Sequence, residues 1–204
     1  MGKGRVEAFS DGVMAIIITV MVLELHAPHS PDFEALLEVA PEFLAYVLSF
    51  VYIAIYWNNH HHMFQVVRRV DGGVLWANNA LLFFLSLVPF TTDWMGENHF
   101  VAAPVALYGV SLLLPAIGYS VLQARIIHVE GQQSGLAQAL GTDWKGKLSP
   151  ALYLLGIVLA FFLPAVSEGL YVLVALIWLI PDRRIERWLA KRESEGKEAS
   201  PASE

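Results

Sequence analysis

Six long apolar stretches run through this sequence, and a helix that crosses a bilayer needs only about 20 such residues. They cover Arg5 to Leu25, Phe43 to His60, Gly73 to Thr92, Val101 to Ile127, Leu148 to Leu163 and Val166 to Ile180. The first is unbroken from Gly12 to Leu23. It has no small-residue cleavage site and carries Asp11 near its start, so it reads as a retained span rather than a signal peptide. The sixth is the shortest and is expected to sit tilted or shielded. Of the 204 residues, 56% are apolar and only 16% charged, against about a quarter charged in a typical soluble domain. The expected fold class is therefore an all-α integral membrane protein with six transmembrane helices per chain.

The basic residues set the orientation. An even number of spans puts both termini on one side. That side then holds Lys3, Arg5, Arg68, Arg69, Arg125, Lys145, Lys147, Arg183, Arg184, Arg187, Lys191, Arg192 and Lys197, which are all 13 lysines and arginines of the chain. The other side holds Glu24, Asp32, Glu34, Glu38, Glu42, Asp93, Glu97 and Glu168. Positive charge collects on the cytoplasmic side of membrane proteins, so both termini are expected there. A multi-pass protein of the cell's inner (plasma) membrane follows, with the lipid bilayer as its first partner. Residues 1–182 form the transmembrane domain in this reading. Residues 183–204 form a cytoplasmic tail that starts as an amphipathic helix (Ile185, Trp188, Leu189) and ends in a polar stretch.

Composition excludes several classes of function. A net charge of −6 leaves no basic surface for nucleic acid. The chain has no cysteine, which removes disulfide scaffolds, thiolate metal sites and cysteine nucleophiles. No repeat relates spans one to three with spans four to six, so inverted-repeat transport within one chain is not supported.

Polar residues inside a span cost about 2.5–3.5 kcal/mol each when charged, so their depth carries information. Asp11 lies about 9 Å of helix rise beyond Arg5. Span two brings Trp57, Asn58, Asn59, His60, His61 and His62 to the cytoplasmic end. Span three enters there with Trp76, Asn78 and Asn79, again about 9 Å deep. Three helices thus place donors and acceptors in one slab, where they are expected to satisfy one another and tie spans one to three together. The alternative is ordinary interfacial polarity. Three adjacent histidines on a helix point about 100° apart and cannot all face one ion, so no metal is expected there, and no cofactor elsewhere. One histidine remains a candidate proton sensor.

On span one, Phe9, Gly12, Ile16, Val20 and Leu23 fall on a single stripe, with Thr19 at its edge. Ser10 and Asp11 project about 120–140° away from Ile16. On periodicity alone such a stripe reads as a lipid or packing face rather than as a pore lining.

Arg5, Phe9, Ser10 and Asp11 form R-x-x-x-F-S-D at the start of span one. This resembles the signature of the transmembrane protein 175 family of potassium channels, in its short bacterial form. Two further stretches agree, W-N-N-H-H-H-M-F from Trp57 to Phe64 and W-A-N-N-A-L-L-F-F-L-S-L-V-P-F from Trp76 to Phe90. The resemblance is strongest over residues 5 to 92. It implies a channel selective for potassium over sodium, a homotetramer because each chain carries one F-S-D repeat, and a central pore lined by the first helix. Carried onto this sequence, it implies a constriction at Ile16, further pore layers at Val20 and Leu23, and a hydroxyl at Thr19. Ala15 stands where some members carry serine. Arg5, Phe9, Ser10, Asp11, His60, His61, Trp76, Asn78 and Asn79 are then expected to form a network that anchors the pore helix. No T-V-G-Y-G carbonyl filter is present, and the resemblance implies instead an apolar ring of Ile16 side chains that would shut by dewetting and act as gate and filter. The competing readings are a proton-coupled or cation secondary transporter using the Asp/His/Asn layer, and an intramembrane enzyme using the histidines. A transporter ordinarily needs broken helices or charge at mid-bilayer, and an enzyme needs a nucleophile or metal set.

Overall fold

The computed structural model describes residues 2–140 and 143–179, so the expected cytoplasmic tail, 183–204, lies outside the described residues. Among the described residues the chain is built of helices and loops without a strand. The helices are α1 (Lys3–Leu23), α2 (Ala40–Val66), α3 (Gly72–Leu85), α4 (Val88–Glu97), α5 (Ala102–Glu130), α6 (Gly135–Leu140), α7 (Trp144–Leu159) and α8 (Pro164–Leu179).

Local chemistry explains most of the boundaries. Pro41 stands in the first turn of α2, where a missing N–H costs nothing. Asp71 caps α3, its carboxylate accepting the Val74 N–H at 2.7 Å. Asp143 caps α7 through the Gly146 N–H at 3.2 Å. Gly131, at φ +90°, ends α5 in a conformation that other side chains rarely adopt. The expected third span is broken in the middle. Pro89 cannot donate to the Leu85 carbonyl and crowds it, so α3 stops at Leu85 and α4 resumes the same direction of sequence at Val88. Ser86 covers part of the break by donating its hydroxyl to the Phe83 carbonyl at 2.7 Å.

Four helical stretches are long and apolar enough to cross a membrane: Lys3–Leu23, Ala40–Val66, the bent pair Gly72–Glu97, and Ala102–Glu130. The described part of α8 is apolar but shorter. At 16 residues each, α7 and α8 rise about 24 Å along their axes.

Two cores meet at α2 and α5. One joins α1, α2, α3 and α5 through Met14, Ile17, Ile53, Phe64, Leu81, Leu85 and Ile126. The other joins α2, α4, α5, α7 and α8 through Tyr52, Met95, Tyr108, Leu112, Tyr153 and Tyr171. Lipid provides no hydrophobic drive between helices, so close packing and interhelical hydrogen bonds hold them. Ser49 contacts Thr92 at 2.7 Å and Tyr108 at 2.9 Å. Thr91 meets Ser111 at 2.7 Å, and Tyr52 donates to the Tyr171 carbonyl at 2.6 Å.

Close approach also fixes one glycine. A Cβ on Gly96 of α4 would lie 2.7 Å from the Glu42 Cα of α2, so one backbone would have to move. We expect Gly96→Ala to cost about 1–3 kcal/mol as an overpacking defect, read as a lowered midpoint of thermal unfolding in detergent. An unchanged midpoint would mean that α2 and α4 separate freely there.

Candidate functional site

The first helix has two contrasting sides. Val6, Ser10, Met14, Ile17 and Met21 recur every three or four residues and are buried against α2 and α3. The opposite stripe is open. Phe9, Ile16, Val20 and Leu23 are exposed, Ile16 to 64%, and a Cβ on Gly12 would meet nothing within 4 Å. Thr19 is exposed beside them, its hydroxyl donating back to the Ala15 carbonyl at 2.8 Å. A groove of about 470 Å³ runs along this side, lined by Ile16, Val20, Glu24, Pro89, Phe90 and Asp93 among others. A helix with an aliphatic ridge facing out and a packed ridge facing in can present that outward ridge to lipid, to another protomer or to an ion path.

Behind the ridge lies a fully buried polar node. Asn78 of α3 is its hub, donating Nδ2–H to Ser10 Oγ at 3.0 Å and accepting from His60 Nε2 at 2.8 Å. Ser10 passes the chain on, its hydroxyl donating to the Val6 carbonyl at 2.8 Å. All three side chains are at most 1% exposed. The directions are mutually consistent when His60 carries its proton on Nε2, an assignment that follows from the network. His60 also stacks on Phe64 with ring centroids 4.4 Å apart. Buried donors and acceptors far from water are costly unless paired, so this node holds α1, α2 and α3 in one register.

A second, more exposed contact joins α1 and α2. The Trp57 indole N–H donates to Asp11 Oδ1 at 2.9 Å. His61 stacks on Trp57 at 6.0 Å with the rings 17° apart, and its Nε2 lies 3.1 Å from Gln65 Nε2. The expected network therefore divides. Ser10, His60 and Asn78 come together, and Asp11 and His61 meet at Trp57. Arg5 is exposed and its guanidinium has no hydrogen bond or ion pair among the described residues. Phe9 lies on the open stripe, while Trp76 and Asn79 are exposed on α3.

Reasoning from sequence missed Trp57 as the partner of Asp11. The available signal was its spacing: Trp57, His60, His61 and Phe64 follow the i, i+3, i+4, i+7 pattern of one helix face. Two further ties were not legible. Tyr119 of α5 donates to the Asn59 carbonyl at 3.1 Å, and Lys3 Nζ donates to the Gln65 carbonyl at 3.3 Å. No group of three or more His, Cys, Asp or Glu side chains is arranged to hold a metal among the described residues.

Comparison with known proteins gives this geometry a context. Residues 5–89 match the profile of a family described as endosomal/lysosomal potassium channel TMEM175. A potassium channel of Chryseobacterium sp. (strain P1-3) is 54% identical over 189 residues, covering 93% of this chain and 98% of that protein. A crystal structure of a lysosomal potassium-selective channel TMEM175 homolog from Chamaesiphon minutus superposes with a TM-score of 0.75 at 31% identity. It covers 88% of this chain and 97% of its own. The human endosomal/lysosomal proton channel TMEM175 is 35% identical over 101 residues, which is 44% of this chain and 20% of the human protein.

Proposed function

Because this chain belongs to the TMEM175 family of ion channels, we propose that it is a potassium-selective channel rather than a carrier, gated by a hydrophobic constriction on its first helix. In this reading the chain crosses the bacterial inner membrane six times, with both termini and the tail cytoplasmic. Four copies surround an axis lined by α1. Ile16 forms the narrowest ring, Val20 and Leu23 the next layers, and Thr19 the neighbouring hydroxyl. Ser10, Asn78 and His60, with Asp11 on Trp57, brace the helix from behind.

The observation that carries the proposal is the two-sided build of α1. Its base is anchored by a satisfied polar node, while its exposed ridge is aliphatic and aligned. An apolar ring stops ions by dewetting and passes them when the helices rotate or separate. Potassium holds its hydration shell less tightly than sodium, so a narrow ring that strips water favours potassium. On the outer side, Glu24, Glu42 and Asp93 line a common pocket. Carboxylates there concentrate cations near the mouth within about a Debye length, an effect that fades at high salt.

The competing transporter reading needs a vacant polar site. In the node each polar side chain is already matched by a neighbour, which favours a brace over a carrier site. One specific observation does favour a second permeant ion: vertebrate relatives that match just under half of this chain are named proton channels. The test is flux from proteoliposomes under a potassium gradient, with the same vesicles assayed under a proton gradient. A channel gives downhill potassium flux that exceeds sodium flux and needs no co-substrate. Potassium movement that stops without an opposing proton gradient would establish a coupled carrier instead.

A further inference from the structure

The connector between α2 and α3 is pinned from several sides, yet it leaves its two arginines free. Val66 and Val67 are buried at its start. The Glu130 carboxylate, at the end of α5, accepts the backbone N–H groups of both Arg68 and Arg69, the latter at 3.0 Å. Asp71 is engaged twice, capping α3 and pairing with Arg125 at 3.8 Å. The two carboxylates nearest in sequence and space thus already have partners. The Arg68 and Arg69 side chains are exposed, and neither guanidinium has a hydrogen bond or ion pair among the described residues. Lys3 reaches the Gln65 carbonyl just before them, which brings the first turn of α1, with exposed Arg5 following it, to the same rim.

We propose that this connector binds the phosphate headgroup of an anionic phospholipid. Arginine presents a planar fork of donors that matches phosphate oxygens. Each basic group near an anionic membrane surface contributes about 1 kcal/mol, which is about a fivefold change in affinity. Glu130 acts as a positioning residue: by holding two consecutive N–H groups it fixes the backbone that carries both guanidinium groups. The phosphate comes from lipid rather than from solution because the connector joins two spans where headgroups lie at high local concentration. This site rests on the cytoplasmic orientation proposed above but not on ion conduction.

Native mass spectrometry of the purified full-length protein, with phosphatidylglycerol offered against phosphatidylcholine, tests it without any flux measurement. The wild type is expected to retain phosphatidylglycerol. Arg68→Gln with Arg69→Gln should weaken retention by about 25-fold, from two basic groups at about fivefold each. Arg68→Lys with Arg69→Lys keeps the charge but loses the fork, and should fall between the two. Glu130→Ala, which removes the acceptor for both N–H groups, should weaken retention severalfold while removing a negative charge, the opposite of what simple charge attraction gives. Lys147→Gln, an exposed basic position on α7, should leave retention unchanged. Equal loss in Lys147→Gln and the double glutamine variant would overturn the site in favour of diffuse attraction. Full retention by the double glutamine variant, or displacement of the lipid by millimolar inorganic phosphate, would overturn it as well.

Discussion

Ile16→Asn is expected to raise resting potassium flux by about tenfold or more and to reduce the preference for potassium over sodium. The argument starts from exposure. Ile16 is the most open side chain in the middle of the α1 ridge, and on the proposed axis it is present in four copies. A ring of sec-butyl groups offers water no hydrogen bonds, so a narrow ring stays dry and an ion must lose its shell to pass. Four carboxamides provide donors and acceptors at the same radius and let water remain. Lowering the barrier by only about 1.4 kcal/mol multiplies the rate by about ten. The substitution does not touch the Ser10–Asn78–His60 node, so assembly and thermal stability should stay near those of the parent. The measurement is potassium and sodium flux into proteoliposomes at matched protein density. Flux and selectivity indistinguishable from the parent would remove Ile16 from the ion path and return the ridge to lipid.

Asn78→Ala is expected to be the most damaging single change to the node, by about 2–3 kcal/mol, because it leaves a buried histidine nitrogen and a buried hydroxyl without their shared partner. Ser10→Ala removes one end of the chain and should cost about 1 kcal/mol, in keeping with interhelical hydrogen bonds in membranes. The two effects share one hydrogen bond, Asn78 Nδ2 to Ser10 Oγ at 3.0 Å. The double variant should therefore be less destabilised than the sum of the singles. Thermal unfolding in detergent and the fraction surviving as the native oligomer on a sizing column provide the readouts. Strict additivity would mean that Ser10 and Asn78 are packed side by side without an energetic bond, and that α1 is held by its apolar face alone.

The contrast between Asn78 and Asn79 shows where sequence reasoning stops. Both lie at one depth and both have the same chemistry. Neighbouring residues on a helix differ by about 100° in direction, so one enters the bundle and the other leaves it. Which one enters depends on how α3 rolls against α1 and α2, and that is settled by the packing of Leu81, Leu85 and Met14. The same holds for the histidines. His60 is buried in the node, whereas His61 stays outside on the Trp57 ring. Arg5 and Trp76 carried the pattern expected of network members, yet their side chains lie exposed in the single chain.

Composition and period by themselves were enough to establish an apolar, helical chain and to locate the four helical stretches long and apolar enough to cross a membrane. These properties are sums over about 20 residues of a transfer free energy, so they survive ignorance of any contact. The two-sided character of α1 was also legible, since a fixed helical pitch turns spacing into direction. Tertiary structure alone decided which face of each helix turns inward, that Trp57 pairs with Asp11, that Asn78 is the hub, and that Glu130 reaches the α2–α3 connector. Those outcomes depend on the relative rotation and offset of separate helices. Lipid gives no hydrophobic drive to bring helices together, so close packing and a few specific hydrogen bonds make the choice.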